Sequence, residues 1–286
     1  MEKISLRHIG FTILALKGLL ILVLLVRVLP GIDLQGFSLD KFLFFVLAGF
    51  TAQMIDGTLG MAYGASCSSL LMYLGIPPAA ASASVHTAEV FTTGISGLSH
   101  IHFKNIDKAL FFRIVITGVL GAAAGAFVIS ELIDGKAIKP FIAAYLLFLG
   151  VLILIKGIRN KPKVHTEVKR AELLALFGGF MDATGGGGWG PIVTSNIINQ
   201  GKNPAETIGT VNLAEFFVAF ASTGVFIFFM GIESWQVILG LVTGGIFAAP
   251  IGGYLASRVN KKALMTFVGA IIVLSSAYTL VSVWGN

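Results

Sequence analysis

Long apolar stretches separated by short polar loops dominate the hydropathy pattern of the chain. A helix that crosses a lipid bilayer needs about 20 mostly apolar residues. Segments of this kind lie at 9–29, 42–74, 82–102, 109–130, 138–155, 173–199, 208–230, 235–255 and 263–283. The pattern therefore predicts an all-α polytopic membrane protein.

The charges of the loops predict the orientation, because loops rich in Lys and Arg stay on the cytoplasmic side of a membrane. The loops predicted inside are 104–108, 156–170 and 258–262. The loops predicted outside, which carry no excess of basic residues, are 30–40, 131–139 and 231–234. We therefore predict a multi-pass protein of the plasma membrane, with its N-terminus in the cytoplasm and its C-terminus outside the cell.

Two of the apolar segments, 42–74 and 173–199, must then enter and leave the membrane on the same side. Each has a glycine-rich middle, "DGTLGMAYG" at 56–64 and "DATGGGGWG" at 182–190. We expect each half to be too short for a full span. Broken backbone at membrane depth is tolerated only where it is buried in protein or lines a cavity. The sequence therefore predicts two re-entrant hairpins together with seven full crossings.

The two halves of the chain repeat at a fixed offset. Asp56 aligns with Asp182 (182 − 56 = 126), and 12 of the 36 positions from 56 to 91 are identical at that offset. We divide the chain into an N-terminal transmembrane helix (1–40), a first unit (41–158), a basic cytoplasmic loop (159–170) and a second unit (171–286). A hairpin plus three crossings makes the units inverted, an architecture typical of transporters.

Four acidic residues lie in predicted membrane segments, and they form two repeat-related pairs, Asp56 with Asp182 and Glu89 with Glu215. Intramembrane carboxylates are rare and are functional by default. Asp56 and Asp182 either cap the half-helices that follow them or take part in transport. Glu89 and Glu215 either carry protons or only brace the hairpins. His86 lies three residues before Glu89, on the same helix face.

The glycine-rich turns, with the hydroxyl and amide side chains around them, predict a central site for a small anion, because open helix N-termini bind anions. The alternative is that the glycines only permit close packing. The aligned aromatics Tyr63 and Trp189 would form either a pocket wall or simple packing. The predicted substrate-binding residues are Gly57, Thr58, Gly60, Tyr63, Gly64, Ser66, Ser69, His86, Gly186, Gly187, Gly188, Trp189, Thr194, Ser195 and Asn212.

Composition excludes other classes of protein. The chain is 56% hydrophobic and only 12% charged, which is about half the charge of a soluble domain. The net charge of +6 is explained by the basic loops, so no nucleic-acid partner is expected. The single cysteine, Cys67, belongs to no metal-binding cluster. Ser66 and His86 lack the third group of a hydrolytic triad, so we predict no enzyme activity, cofactor or metal site.

The paired motifs resemble those of the sulfite exporter TauE/SafE family. They are "AQMIDGTLGMAYGASCSSLL", "ASASVHTAEVF", "GGFMDATGGGGWGPIVTSNII" and "IGTVNLAEFF". The resemblance implies a plasma-membrane transporter of small sulfur oxyanions or organosulfonates. The membrane potential favours export of an anion, and Glu89 and Glu215 offer proton coupling. The alternative is a cation or metal transporter that uses the four acids and His86.

Overall fold

The fold is a bundle of α-helices. The computed structural model describes residues 5–28, 37–158, 168–231, 234–255 and 261–284, and contains no strand in those ranges. The helices are α1 Leu6–Val28, α2 Leu39–Leu59, α3 Tyr63–Tyr73, α4 Pro78–His102, α5 Lys108–Phe127, α6 Gly135–Ile158, α7 Ala171–Gly185, α8 Ser195–Asn199, α9 Pro204–Phe229, α10 Trp235–Leu255 and α11 Lys261–Trp284. Short π-helical turns at Val128–Leu132 and Gly190–Thr194 precede α6 and α8.

Seven of the described helices are long and apolar enough to cross a membrane: α1, α2, α5 with the π-turn after it, α6, α9, α10 and α11. The predicted number of crossings is the same, and six of the members agree. The seventh differs, because α2 stands in place of the predicted crossing at 82–102. That segment forms α4, whose many Ser, Thr and His residues are largely buried among other helices and so need not match the hydropathy of lipid.

The expectation that both halves of each broken segment are short is wrong for the first one. α2 has 21 residues, a length of about 31 Å at 1.5 Å per residue. The helix continues without a break from Leu39 to Leu59, and Gly60 ends it in the left-handed conformation with a φ of 66°. Whether the two segments are re-entrant in a bilayer stays a prediction.

Helix bounds and packing recur at the offset of 126 residues. α4 and α9 both begin with a proline, Pro78 and Pro204, a residue favoured in the first helical turn. α2 packs on α10, and α7 packs on α5, which are the repeat-related pairs of helices; α4 packs on α9 at the centre, and α6 packs on α11. The inverted orientation of the two units stays a prediction.

The loop charges behind the predicted orientation lie partly outside the described residues. Those not described are Asp33, Arg159, Lys161, Lys163, Glu233 and Arg258. Most of the proposed basic loop 159–170 therefore lies outside the described part of the chain.

α1 packs against α4 through a stripe of buried residues that includes Ile13 and Leu20. Lys17 lies on this stripe at the middle of α1. Its ammonium group donates a hydrogen bond to the carbonyl oxygen of Phe91 at 3.2 Å and lies 5.8 Å from the centre of the Phe91 ring. A charged residue of the first helix is thus held by the helix that carries His86 and Glu89.

Glycines let α5 and α7 approach to backbone contact. A Cβ atom added to Gly121 would lie 2.0 Å from the carbonyl oxygen of Leu176, and one added to Gly125 would lie 2.4 Å from that of Phe180. The sequence "GAAAG" at 121–125 is therefore a helix-packing motif of the small-xxx-small type.

We expect Gly121→Ala to lower the free energy of unfolding by about 1–3 kcal/mol, the range typical of overpacking. The added methyl group would collide with the Leu176 carbonyl oxygen, and backbone cannot move aside as a flexible side chain can. Gly224→Ala in α9 is the matched control, since a Cβ there meets no atom within 4 Å. Thermal unfolding in detergent measures both variants. A Gly121→Ala protein as stable as the Gly224→Ala protein would contradict the backbone contact.

Asp107 joins the two units at the loop before α5. Its carboxylate accepts the N–H of Leu110 at 3.0 Å, which caps α5, and binds the ammonium of Lys202 at 2.6 Å. Partial burial raises the pKa of the Asp107 carboxyl, but the Leu110 N–H and the Lys202 ammonium outweigh it, so the pKa lies below its ordinary value.

The Asp107–Lys202 pair should stabilise the fold above the ordinary aspartate pKa of about 3.9, and this contribution should disappear as the pH falls through the lower folded-state pKa. Asp107→Asn keeps a capping side chain but removes the charge. We expect it to cost about 0.2–1 kcal/mol at pH 7 and nothing in strong acid. Melting temperatures at several pH values test this, with the exposed Asp40→Asn as control. A loss that is independent of pH would contradict the ion-pair explanation.

Candidate functional site

Two chain breaks form the centre of the candidate site. The first lies between α2 and α3, where Gly60 and Ala62 both have positive φ, 66° and 88°. The second follows α7, where Gly186 has a φ of 68°. Gly60 and Gly186 are repeat-related (186 − 60 = 126), and each ends its helix in the same left-handed conformation. The predicted breaks are therefore confirmed as chain breaks at the glycine-rich positions.

The two turns touch each other through their backbones. A Cβ atom added to Gly187 would lie 2.3 Å from the Ala65 nitrogen, and one added to Gly190 would lie 2.5 Å from the Met61 Cα. The hydroxyl of Ser68 donates to the carbonyl oxygen of Gly186 at 2.5 Å. Residues with side chains would separate the turns, so glycine is required at both contact positions.

His86 of α4 bridges the first unit to the second. Its Nε2 lies 3.1 Å from Oδ2 of Asp182, and both side chains are buried. Its Nδ1 lies 2.8 Å from the carbonyl oxygen of Ser82, which can only accept, so Nδ1 carries a hydrogen. Nε2 and Oδ2 then need one further proton, or another cation, between them.

Asp182 also closes the second turn. Its other oxygen, Oδ1, accepts the backbone N–H of Trp189 at 3.0 Å. The hydroxyl of Ser82 donates to the neighbouring carbonyl oxygen of Ala183 at 2.6 Å. The capping interpretation of Asp182 thus agrees with its contacts, and the same carboxyl group holds His86.

The predicted intramembrane acids are all buried. Asp56 and Glu89 are 1% exposed, Asp182 is 2% exposed and Glu215 is 5% exposed. Among the described residues, neither oxygen of Asp56 or of Glu89 has a hydrogen-bond partner. A buried carboxylate without a partner is costly as an ion. A proton or a bound cation on Asp56 and on Glu89 would remove this cost.

Three of the ionisable groups form a cluster that could hold a small cation. The ligand atoms of His86, Glu89 and Asp182 all lie within 4.8 Å of one another, and Glu89 Oε2 is 4.0 Å from His86 Nε2. A proton satisfies the His86–Asp182 contact without any metal. The sequence prediction of no metal site remains a prediction.

Most of the predicted hydroxyl donors bond to their own helices. Thr58 donates to the carbonyl oxygens of Met54 and Ile55 at 3.0 and 2.8 Å, and Ser66 donates to that of Ala62. Ser69 donates to the carbonyl oxygen of Ser66 at 3.1 Å, and Ser195 contacts the Met61 sulfur at 3.7 Å. In this conformation their hydrogens are not directed at a common point.

Other predicted residues keep unused polar atoms. Among the described residues, the Thr194 hydroxyl and the Asn212 amide oxygen have no hydrogen-bond partner. The amide nitrogen of Asn212 donates to the Ser96 hydroxyl at 3.0 Å. Asn212 is the repeat counterpart of His86 (212 − 86 = 126), and Asp56 is the counterpart of Asp182. In the described chain Asn212 and Asp56 make no hydrogen bond to each other, so the second unit has no equivalent of the His86–Asp182 pair.

Trp189 is packed between helices. It is fully buried, its indole N–H donates to the carbonyl oxygen of Val211 at 3.2 Å, and Gly118 of α5 leaves room for its ring. These contacts favour the packing interpretation of this aromatic residue.

Sequence reasoning missed two residues of the site. Ser82 lies one helical turn before His86, a spacing that offered a signal. Tyr145 of α6 gave no signal, yet its hydroxyl would lie 2.5 Å from a Cβ atom on Gly188, so it packs directly on the second turn.

A helical bundle that buries ionisable groups beside two broken helices belongs to the class of polytopic membrane proteins, and such sites are typical of transporters. The sequence model of the family described as "Sulfite exporter TauE/SafE" matches residues 45–279. The chain therefore belongs to this family, and the resemblance predicted from its motifs is confirmed.

Relatives agree with this assignment. The chain is 42% identical over 255 residues to "Probable membrane transporter protein YtnM" of Bacillus subtilis (strain 168), which covers 86% of this chain and 85% of that protein. It is 26% identical over 152 residues to "Sulfite exporter TauE/SafE family protein 3" of Arabidopsis thaliana, over 51% of this chain and 32% of that one. No solved structure matches the chain. The names indicate a multi-pass membrane transporter rather than an enzyme.

The repeat-related acids should contribute unequally to stability. We expect Asp182→Ala to cost about 3–5 kcal/mol, the range for removing one partner of a buried ion pair, because it leaves His86 and the Trp189 N–H unpaired. Asp56→Ala removes no hydrogen bond of the described chain and should cost less. Thermal unfolding in detergent compares the two variants, and an equal loss in both would argue against the special role of the His86 contact.

Proposed function

We propose that this protein exports a small sulfur-containing anion, sulfite or an organosulfonate, across the plasma membrane, and that the anion binds between the two turns only when the neighbouring acids hold protons. Membership of the family supports a transporter, and the name of the family supports a sulfur anion.

The observation that carries the proposal is the place of the carboxyl groups. Oε1 of Glu89 would lie 3.2 Å from a Cβ atom on Gly64 of the first turn, and Asp182 binds the second turn. Two like charges 4 Å apart repel by about 4 kcal/mol at an effective dielectric constant of about 20. An anion at the turns therefore requires that these acids be neutral.

The His86–Asp182 pair supports the same coupling. One proton between Nε2 and Oδ2 gives the pair no net negative charge, whereas its loss leaves a bare carboxylate beside the second turn. Protonation would thus admit the anion, and deprotonation would expel it. Glu89 and Glu215 are the further proton-holding groups of the proposal.

Access to the site needs a change of conformation. The turns lie in backbone contact, and the acids around them are at most 5% exposed. Alternating separation of each turn from its surroundings, first on one side and then on the other, would load and release the anion. The predicted inverted repeat, with the N-terminus inside and the C-terminus outside, suits such a cycle.

The membrane potential supports export. An inside-negative potential favours the exit of each net negative charge by about 2.3 kcal/mol per 100 mV. Export of the anion alone is therefore driven by voltage. Export together with one proton is electroneutral for a monovalent anion, so the voltage does not drive it. An outward gradient of the anion drives it, and a lower pH outside opposes it.

We expect sulfite efflux from proteoliposomes to rise as the pH on the loading side falls, because protons neutralise the acids. Glu89→Gln mimics the protonated form, and it should keep sulfite binding while weakening the pH dependence. Glu215→Gln tests the second acid in the same way. The assay sets voltage and pH independently, and melting temperatures with sulfite, sulfate, thiosulfate, sulfoacetate and taurine identify the preferred substrate.

Efflux that is indifferent to both voltage and pH would contradict the proposal. The cluster at His86, Glu89 and Asp182 favours one other candidate, the transport of a divalent cation. Stabilisation by a divalent metal ion, with no effect of any sulfur anion, would establish that function instead. Loss of folding in both Gln variants would assign the acids a bracing role only.

A further inference from the structure

A lateral cavity of about 250 Å³ lies between α2, α3 and α11. Its floor is apolar and buried, with Ile55 and Cys67 each 2% exposed and Val268 at 0%. Its rim consists of exposed apolar side chains of two spanning helices, Phe44, Leu47 and Phe267. The cavity is therefore continuous with the outer apolar surface of the bundle.

The surroundings decide what fills this cavity. α2 and α11 are both among the membrane-spanning helices, so the exposed rim faces the hydrocarbon of the bilayer. An apolar cavity of ~150 Å³ stays dry and takes apolar guests, and this one is larger. The apolar guest that a bilayer supplies at its rim is a lipid acyl chain.

We propose that the cavity binds one acyl chain of a membrane phospholipid, which packs against α3 beside Ser66 and Cys67. Ser66 and Cys67 line the cavity and belong to the first turns of α3. The Ser66 hydroxyl is already bonded to the carbonyl oxygens of Ala62 and Tyr63, so it presents no unsatisfied polar group to the chain.

The second unit supports this proposal by contrast. At the repeat offset, the cavity-lining residues Thr51, Ser66 and Ile271 correspond to larger ones. Their counterparts (51 + 126 = 177, 66 + 126 = 192, 271 − 126 = 145) are Phe177, Ile192 and Tyr145. Ile192 and Tyr145 thus add bulk in the second unit at positions where smaller residues line the cavity in the first, whereas Phe177 lies mainly on the surface, at 56% exposure.

Tyr145 shows what such a filling group does. It packs on the second turn, where a Cβ atom on Gly185 would lie 2.6 Å from its ring. Its counterpart Ile271 is shorter and lines the cavity. The acyl chain would take up space beside Ile271 that a larger residue at that position would occupy.

The test uses the full-length protein in vesicles of a phosphatidylcholine that carries a photoreactive diazirine at the end of one acyl chain. After illumination, mass spectrometry of peptides maps the labelled residues. We expect adducts on the cavity floor at Cys67 and Leu70, in addition to adducts on the exposed surface at Phe247 of α10. Thr51→Phe and Ile271→Tyr place in the cavity the residues found at the matching positions of the second unit. Each should lower the labelling of the floor several-fold relative to the labelling of Phe247.

Leu239→Phe adds the same kind of bulk on the exposed face of α10 and should leave floor labelling unchanged. Wild-type protein labelled at Phe247 but not on the floor would overturn the proposal, as would undiminished floor labelling in either folded filling variant. The two variants lie on different helices, so one decides if the other fails to fold. Because no transport is measured, this result is independent of the proposed function.

Discussion

The contact between two bare stretches of backbone at the centre of the bundle is the constraint on which the remaining structure depends. Gly187 and Ala65 approach so closely that no side chain fits between them. Backbone that lies this close inside a membrane cannot be covered by water, and its polar groups must be satisfied by protein. Ser68, Ser82 and Asp182 provide those bonds. The buried polar residues of α3, α4 and α7 thus follow from the glycine contact.

The two repeat-related aspartates make different contacts. Asp182 bonds to both His86 and the Trp189 N–H, whereas neither oxygen of Asp56 has a partner in the described chain. The difference begins with one position, where the first unit has a titratable histidine and the second has Asn212. A structure built from two similar halves can therefore hold one proton-binding pair rather than two, and its two faces need not respond alike to pH.

Much of the fold was readable in the sequence, because the bilayer imposes a simple rule on apolar length. The two breaks were predicted because glycine runs are conspicuous in apolar segments, and the four acids because charge is rare there. The length of α2 was predicted wrongly. The 21 residues from Leu39 to Leu59 form one helix, whereas the sequence was interpreted as a half-helix too short to span the membrane. The His86–Asp182 contact joins residues 96 positions apart and depends on how α4 meets α7, which no local pattern encodes. Tyr145 resembles any other aromatic residue of a membrane helix until its neighbour Gly188 is known.

The lysine of α1 has a consequence for how that helix can move. Lys17 is 11 residues from each end of Leu6–Val28, or about 16 Å at 1.5 Å per residue, too far for its side chain to reach water at either surface. A slide of one helical turn would carry the ammonium about 5.4 Å away from the Phe91 carbonyl and into hydrocarbon. The bond to the Phe91 carbonyl therefore favours a single register of α1 on α4.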